Sequence, residues 1–418
     1  MLRKVITLRH AVALYVSSVL GSGVLVLPGL AGRLAGPGSL IAWVVLSLVS
    51  YPFAWTFASL SSRNPESGGV YSFVREAFGP HAAAMVGWLF GLWYVAGAPA
   101  VTLIAASYLG YAFPLGRLAI HLVACAVIVV PFLINLRGIV FSNRVQLGIV
   151  AAIIALLLLA VGLSAGSVRA QSFSPFLPHG WLPVGTAAAL IFWSYLGYEN
   201  VSNVAEEFRD PRRDFHRSVV LSVVLIGLLY LSVAFVTVGT GAYQAGGSVA
   251  PFAALFSRVF GKLGGAGTAL LAAVIIFGTV NAYTAGMSRV ALAVARDGAL
   301  PAAFARVSPR TGAPSGSLTL LTILSLLMLA LYYVFQVDLQ TALLIPSGAA
   351  VLVYVMGCAA GARLLKGRGA WSSFPWISLV VSVAVLPFVG PLALVALATG
   401  GIAFAYSRLT RRRPQGAQ

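Results

Sequence analysis

The chain has 418 residues, of which 60% are hydrophobic and only 9% charged, with a net charge of +18 and a mean hydropathy of +0.95. Soluble globular domains carry about 25% charged residues, so this composition excludes a water-soluble fold and makes lipid the solvent. Apolar segments near the roughly 20 residues that a spanning helix needs recur at 11–32, 38–61, 82–113, 118–136, 142–165, 184–204, 218–240, 253–285, 316–336, 340–362, 374–388 and 390–407. These twelve predicted spans make an all-α integral membrane protein, a single polytopic domain over 1–418 with no room for a soluble domain. The first span is too long for a secretory signal peptide and has no small-residue cleavage site, so it is expected to stay.

Placing the N-terminus in the cytoplasm puts 22 of the 27 Lys and Arg on the cytoplasmic side. Arg33, Arg117, Arg169, Arg258 and Lys262 fall outside. That bias is expected of a multi-pass plasma-membrane protein with both termini inside. The basic charge therefore reads as topology, and no nucleic-acid partner is expected. Cys125 and Cys358 fall in separate spans and read as packing residues, with no disulfide, metal site or cofactor implied.

Eight of the nine acids fall in loops, turns or helix ends; Glu199 alone lies at membrane depth, with no Lys or Arg beside it. An intramembrane acid costs at least about 2.5 kcal/mol on insertion scales and is by default a functional candidate. It can equally be a protonated group hydrogen-bonded between helices, or the cap of a helix fragment.

The stretch "LGSGVLVLPG" (20–29) interrupts the first span with Gly-Ser-Gly and then Pro28, and "FWSYLGYEN" (192–200) interrupts the sixth with Ser, Gly and Asn around Glu199. Two Gly-interrupted spans, one in each half, point to a transporter's binding site. A short echo, "FVREAFG" (73–79) and "LFSRVFG" (255–261), has a similar offset. Five spans followed by five more must be inverted in the membrane. This predicts a first repeat over 11–165, a second over 184–362, and two further helices over 374–407.

A helix broken at the midplane exposes N–H groups on one fragment and C=O groups on the other, which is tolerable only beside a cavity or a ligand. The N–H groups and positive half-helix end suit a carboxylate, and the carbonyls suit an ammonium. Facing breaks can therefore hold a zwitterionic amino acid without a charged side chain. A Gly-rich packing face of the small-xxx-small type is the structural alternative. The stretches 66–80 and 289–306 mix basic and apolar residues in a helical pattern and are expected to lie in the membrane interface over the cytoplasmic gate.

"SSVLGSGVLVLPG" (17–29), "PESGGVYSFVREAFGP" (65–80), "FWSYLGYENVSNVAEEFRDPRRDFHRSV" (192–219) and "SRVALAVARDGALPAAFARVSPRTGAPSGSL" (288–318) resemble, in this order, segments of the APC-superfamily amino-acid permeases. The resemblance implies the LeuT-type five-plus-five fold. Within the superfamily the chain looks most similar to bacterial exporters of methionine and branched-chain amino acids, which implies a bacterial or archaeal plasma membrane. Carried over residue by residue, it implies carboxylate binding by the amides at Gly21, Ser22 and Gly23, and ammonium binding by carbonyls near Ser18, Val19, Trp193 and Ser194. Trp193 resembles an aromatic gate, Leu196 falls on a pocket position, and Glu199 on the helix-six acid. Anchoring on "SYLGYAFP" and "ARDG" adds Ala98, Val101 and Tyr283.

The lining so assembled is apolar and aromatic, and an unpaired charged side chain would be costly there. The expected substrate is a neutral, mainly hydrophobic amino acid, moved by alternating access, with export or antiport as the expected mode. A broader or cationic uptake permease coupled to protons is the alternative. Some family members carry a helix-five Lys in place of a cation; 142–165 has none. Proton coupling through Glu199 stays open, and sodium is not expected, because Thr279 and Thr284 read as packing hydroxyls. The five His are scattered with no catalytic or ligand spacing, which argues against an enzyme. No continuous polar pore or ligand domain suggests a channel or sensor. The partners expected are the amino acid and the bilayer, for a monomer or weak homodimer.

Overall fold

The computed structural model describes residues 4–66, 68–113, 115–244, 263–337, 339–367, 371–389 and 393–411. Regular structure among them is helical, apart from one isolated parallel bridge that pairs Ile6 with Phe208. The helices are α1 (Leu8–Val19), α2 (Ser22–Ala35), α3 (Ser39–Arg63), α4 (Val70–Phe78), α5 (Pro80–Ala112), α6 (Arg117–Leu136), α7 (Ile139–Ala165), α8 (Leu182–Phe192), α9 (Pro211–Gly239), α10 (Leu263–Arg296), α11 (Ser315–Val334), α12 (Leu339–Leu364), α13 (Phe374–Val385) and α14 (Ala393–Arg411).

Eight runs among the described residues are long and apolar enough to cross a membrane: Gly23–Arg63, Pro80–Ala106, Arg117–Leu136, Ile139–Ala165, Pro211–Gly239, Gly264–Arg296, Ser315–Val334 and Thr341–Leu364. Leu182–Phe192, Phe374–Val385 and Ala393–Arg408 are apolar but shorter. The first and sixth predicted spans are absent as continuous helices because both are broken. The echo at 255–261 lies outside the described residues.

The first break is narrow. Leu20 (φ −74°, ψ 60°) and Gly21 (φ −87°, ψ −149°) leave helical geometry between α1 and α2. The Gly21 N–H turns back onto the Val19 carbonyl at 2.7 Å. Ser22 and Gly23 already belong to α2, and Pro28 sits inside it, so Pro28 does not make the break, as the sequence suggested. The second break is wider. After α8 comes a 3₁₀ turn, Trp193–Tyr195, then a turn through Leu196–Glu199, then 3₁₀ geometry over Asn200–Glu207. Pro211 restarts the helix at a position where its missing N–H costs nothing, with the Asp210 carboxylate accepting from the Arg213 N–H at 3.2 Å.

The longest helices frame these breaks. α5 packs along α10 and α12, and α1 lies against α9, α7 and α10. The two stretches expected to lie over the cytoplasmic gate differ in the structure. α4 is helical, as the pattern at 66–80 suggested, and it packs on α5 and α12 with Val70, Tyr71, Phe73 and Val74 buried. α10 runs on to Arg296, past the predicted end at 285, and Arg289 within it is fully buried. The basic residues that marked a loop in the sequence are tolerated in that helix because Arg289 pairs with Glu207, and a paired charge can be buried where a lone one cannot.

Candidate functional site

The two breaks touch. A Cβ on Gly23 would stand 2.3 Å from Ser194 Oγ, and one on Gly197 would stand 2.6 Å from the Ser18 carbonyl oxygen. Gly197 also has φ +133°, a conformation that only glycine enters without strain. Glycine at these two positions is what lets backbone from one break lie on backbone from the other.

Beside the contact lies a cavity of about 90 Å³. Ser18, Val19, Gly21 and Gly23 line it from the first break, and Ser194 and Leu196 from the second. Trp93, Tyr94, Gly97, Ala98 and Val101 come from α5, Thr279, Val280, Tyr283 and Met287 from α10, and Leu343 and Pro346 from α12. No lining residue carries a charge.

The structure thus gathers nine sequence-predicted residues in one place: Ser18, Val19, Gly21, Gly23, Ala98, Val101, Ser194, Leu196 and Tyr283. The side chains of Ser22 and Trp193 lie outside the described residues, although their backbones flank the cavity in α2 and the 3₁₀ turn. Of the residues missed, Tyr94 and Gly97 share a helical face with Ala98 and Val101. They follow the i, i+3, i+4, i+7 spacing that could have found them. Met287 lies one turn beyond Tyr283 on α10 and carried the same signal. Leu343 and Pro346 stand in no motif.

Glu199 does not line the cavity; it sits fully buried behind Tyr283. Its Oε1 accepts from the Tyr283 hydroxyl at 3.2 Å, and its Oε2 accepts from the Gly197 N–H at 2.9 Å and from the Tyr354 hydroxyl. All three donors are uncharged. Through Gly197 the carboxylate braces the second break, and through Tyr283 it is one side chain away from the cavity.

The carbonyls of the breaks are partly engaged. The Tyr230 hydroxyl, from α9, lies 2.7 Å from the Val19 oxygen and 2.9 Å from the Ser194 oxygen, so one proton serves both breaks. Val19 already accepts from Gly21 N–H, which leaves Ser194 with the spare lone pair. The Ser17 carbonyl accepts from Thr279 Oγ1 at 2.8 Å, and Ser18 Oγ accepts from Asn200 Nδ2 at 2.8 Å. Further back, the Gln146 amide donates to Ser17 Oγ, and Asn281 Nδ2 donates to Gln146 Oε1 at 2.5 Å. The end of α1 is therefore held to α7 and α10 by neutral amides and hydroxyls.

Tyr230→Phe is expected to strand a shared acceptor at this junction. Leaving a buried carbonyl unpaired costs about 1–3 kcal/mol, read as a lower melting temperature of the purified protein. A melting temperature equal to wild type would show that the two carbonyls find other donors.

The family profile described as amino acid permease matches residues 6–407. Uncharacterized amino acid permease YecA of Bacillus subtilis (strain 168) is 35% identical over 92% of this chain and 90% of its own length. L-methionine/branched-chain amino acid exporter YjeH of Escherichia coli (strain K12) is 30% identical over 95% of this chain and 94% of its own. Branched-chain amino acid permease BcaP of Bacillus subtilis is 29% identical over 72% and 68%. With its paired helix breaks, its uncharged cavity and these similarities along nearly its whole length, the chain is a multi-pass membrane protein belonging to the amino acid permease family.

Proposed function

We propose that the chain is a secondary transporter of neutral, mainly hydrophobic L-amino acids of the methionine and branched-chain type, working as an exporter or antiporter. The observation that carries this reading is the cavity at the meeting point of the two breaks, whose lining is apolar and aromatic without a charged residue. The amides at Ser22 and Gly23 face the substrate carboxylate, the Gly21 N–H being turned back on the Val19 carbonyl, and carbonyls at Ser18 and Ser194 face its ammonium. Ala98, Val101, Leu196, Tyr283 and Met287 surround the side chain, and Trp193 closes over it. A lysine or arginine side chain would find no carboxylate in the lining, since Glu199 is already bonded to Tyr354 and Tyr283. The name of the similar exporter YjeH supports the same substrate class.

In this reading twelve spans form two inverted five-helix repeats, 11–165 and 184–362, with both termini in the cytoplasm of a bacterial cell, a placement that the positive-inside bias supports. The pair of broken helices rocks against α5, α6, α10 and α11 around the site. α7 meets the α1 end with the neutral Gln146, so Glu199 is the acid left to carry a coupling proton.

A substrate panel on purified protein in liposomes, with and without imposed proton and sodium gradients, tests the reading. Saturable exchange of methionine, leucine, isoleucine and valine is expected, with lysine and glutamate excluded. Absence of counterflow, or a preference for lysine, overturns it. Glu199→Gln on the same liposomes is expected to flatten the pH dependence of exchange. A profile parallel to wild type removes the proton role and leaves Glu199 as the brace of the second break.

A further inference from the structure

We propose that the Arg-rich corner where the N-terminal segment meets the start of α9 is a binding site for an anionic phospholipid. Two basic runs far apart in sequence are brought together there. Val5 and Ile6 N–H groups donate to the Glu207 carbonyl at 2.8 and 2.9 Å, and the Arg209 N–H donates to Ile6 at 3.0 Å. This parallel pairing sets exposed Lys4 and Arg9 beside exposed Arg209, Arg212, Arg213 and Arg217. None of the six makes an ion pair among the described residues.

Three other basic residues near that end of the bundle are ion-paired. Arg63 pairs with Glu76, Arg75 with Glu66 and Asp297, and Arg289 with Glu207. In the corner itself Asp210, Asp214 and Glu206 stand against the six cations, and Asp210 is occupied as the α9 cap. A net positive charge remains at one spot, beyond the scattered bias that topology alone requires. Juxtamembrane clusters of this kind attract anionic lipid headgroups.

A second feature separates a lipid from a free anion. Arg213 and Arg217 continue along α9 into Val220, Leu221, Val224 and Leu228, at the i, i+3, i+4 spacing of one helix face. These four apolar residues are 47–60% exposed. Guanidinium groups at the top of an open apolar stripe suit a molecule with a charged head and hydrocarbon chains. The site lies at the foot of α1 and of the segment after the second break, so its occupant would bear on both broken helices.

Native mass spectrometry and thermal unfolding of the full-length protein in neutral detergent test the proposal. Phosphatidylglycerol is expected to be retained and to raise the melting temperature. Phosphatidylcholine is not, for want of charge, and glycerol phosphate is not, for want of chains. Four Arg→Gln substitutions at 209, 212, 213 and 217 are expected to lower phosphatidylglycerol retention at least about tenfold, given that each cation near a surface contributes roughly fivefold. Lysine at the same four positions should restore most of it. Arg296→Gln with Lys366→Gln, elsewhere on the same end, should leave retention unchanged. Equal retention of the two phospholipids, an equal shift with glycerol phosphate, or retention unaltered in the glutamine variant would overturn the proposal. The two wild-type comparisons decide it even if that variant does not fold.

Discussion

Arg289→Met is expected to cost about 3–5 kcal/mol, because it leaves Glu207 as an uncompensated buried charge. Both side chains are 1% exposed, with Arg289 Nε 2.7 Å from Glu207 Oε1. The guanidinium is further held by the Ala285 carbonyl at 3.1 Å and Ser288 Oγ at 3.0 Å. Glu207 is tied down as well, since its backbone carbonyl takes the Val5 and Ile6 N–H groups. The pair thus joins α10 to the segment after the second break, and that segment to the chain entering α1. Desolvating two ions can cancel their attraction, so the double variant Arg289→Met with Glu207→Leu is expected to recover much of the loss. Melting temperatures of the two single variants and the double variant, taken as a cycle, measure the coupling. If each single variant is as stable as the double, the ion pair does not hold this end together.

This pair also marks the limit of what the sequence discloses. Arg289 and Glu207 are 82 positions apart, and each reads as an ordinary charge at a helix end. Only the three-dimensional approach of α10 to the 3₁₀ segment reveals that both are buried. The breaks were legible, because Gly-Ser-Gly and Ser-Tyr-Leu-Gly-Tyr-Glu-Asn are poor helix material inside otherwise apolar spans. Their edges were not: Pro28 looks like a helix breaker, yet sits inside α2. The α5 face of the cavity follows from helical spacing once Ala98 and Val101 are anchored. Tyr230 had no such mark. It is one of 15 tyrosines, and its role depends on two carbonyls that converge only because both helices stop there. Leu343 and Pro346 are ordinary residues of an apolar helix that happens to border the cavity.

Gly197→Ala is expected to abolish transport. The residue sits at φ +133°, where a side chain brings strain of about 1–3 kcal/mol. The added carbon would also stand 2.6 Å from the Ser18 oxygen and 2.8 Å from the Ser18 carbonyl carbon. Those atoms are backbone of the first break, so they cannot swing away as a side-chain tip could. Relief requires the breaks to separate or Gly197 to turn, and turning removes its N–H from Glu199 Oε2 and the Tyr354 hydroxyl. Either movement dismantles the wall of the cavity that both breaks form. Gly162→Ala is the matched control: it lies in the last turn of α7, exposed, with nothing within 4 Å of the new carbon. An ordinary helical glycine gains at most about 1 kcal/mol from alanine, so this variant should melt and transport like wild type. Liposome exchange and melting temperature measured on both variants separate a general intolerance of alanine from a requirement at the break. Full exchange by Gly197→Ala would mean that the touching breaks are not the site of transport.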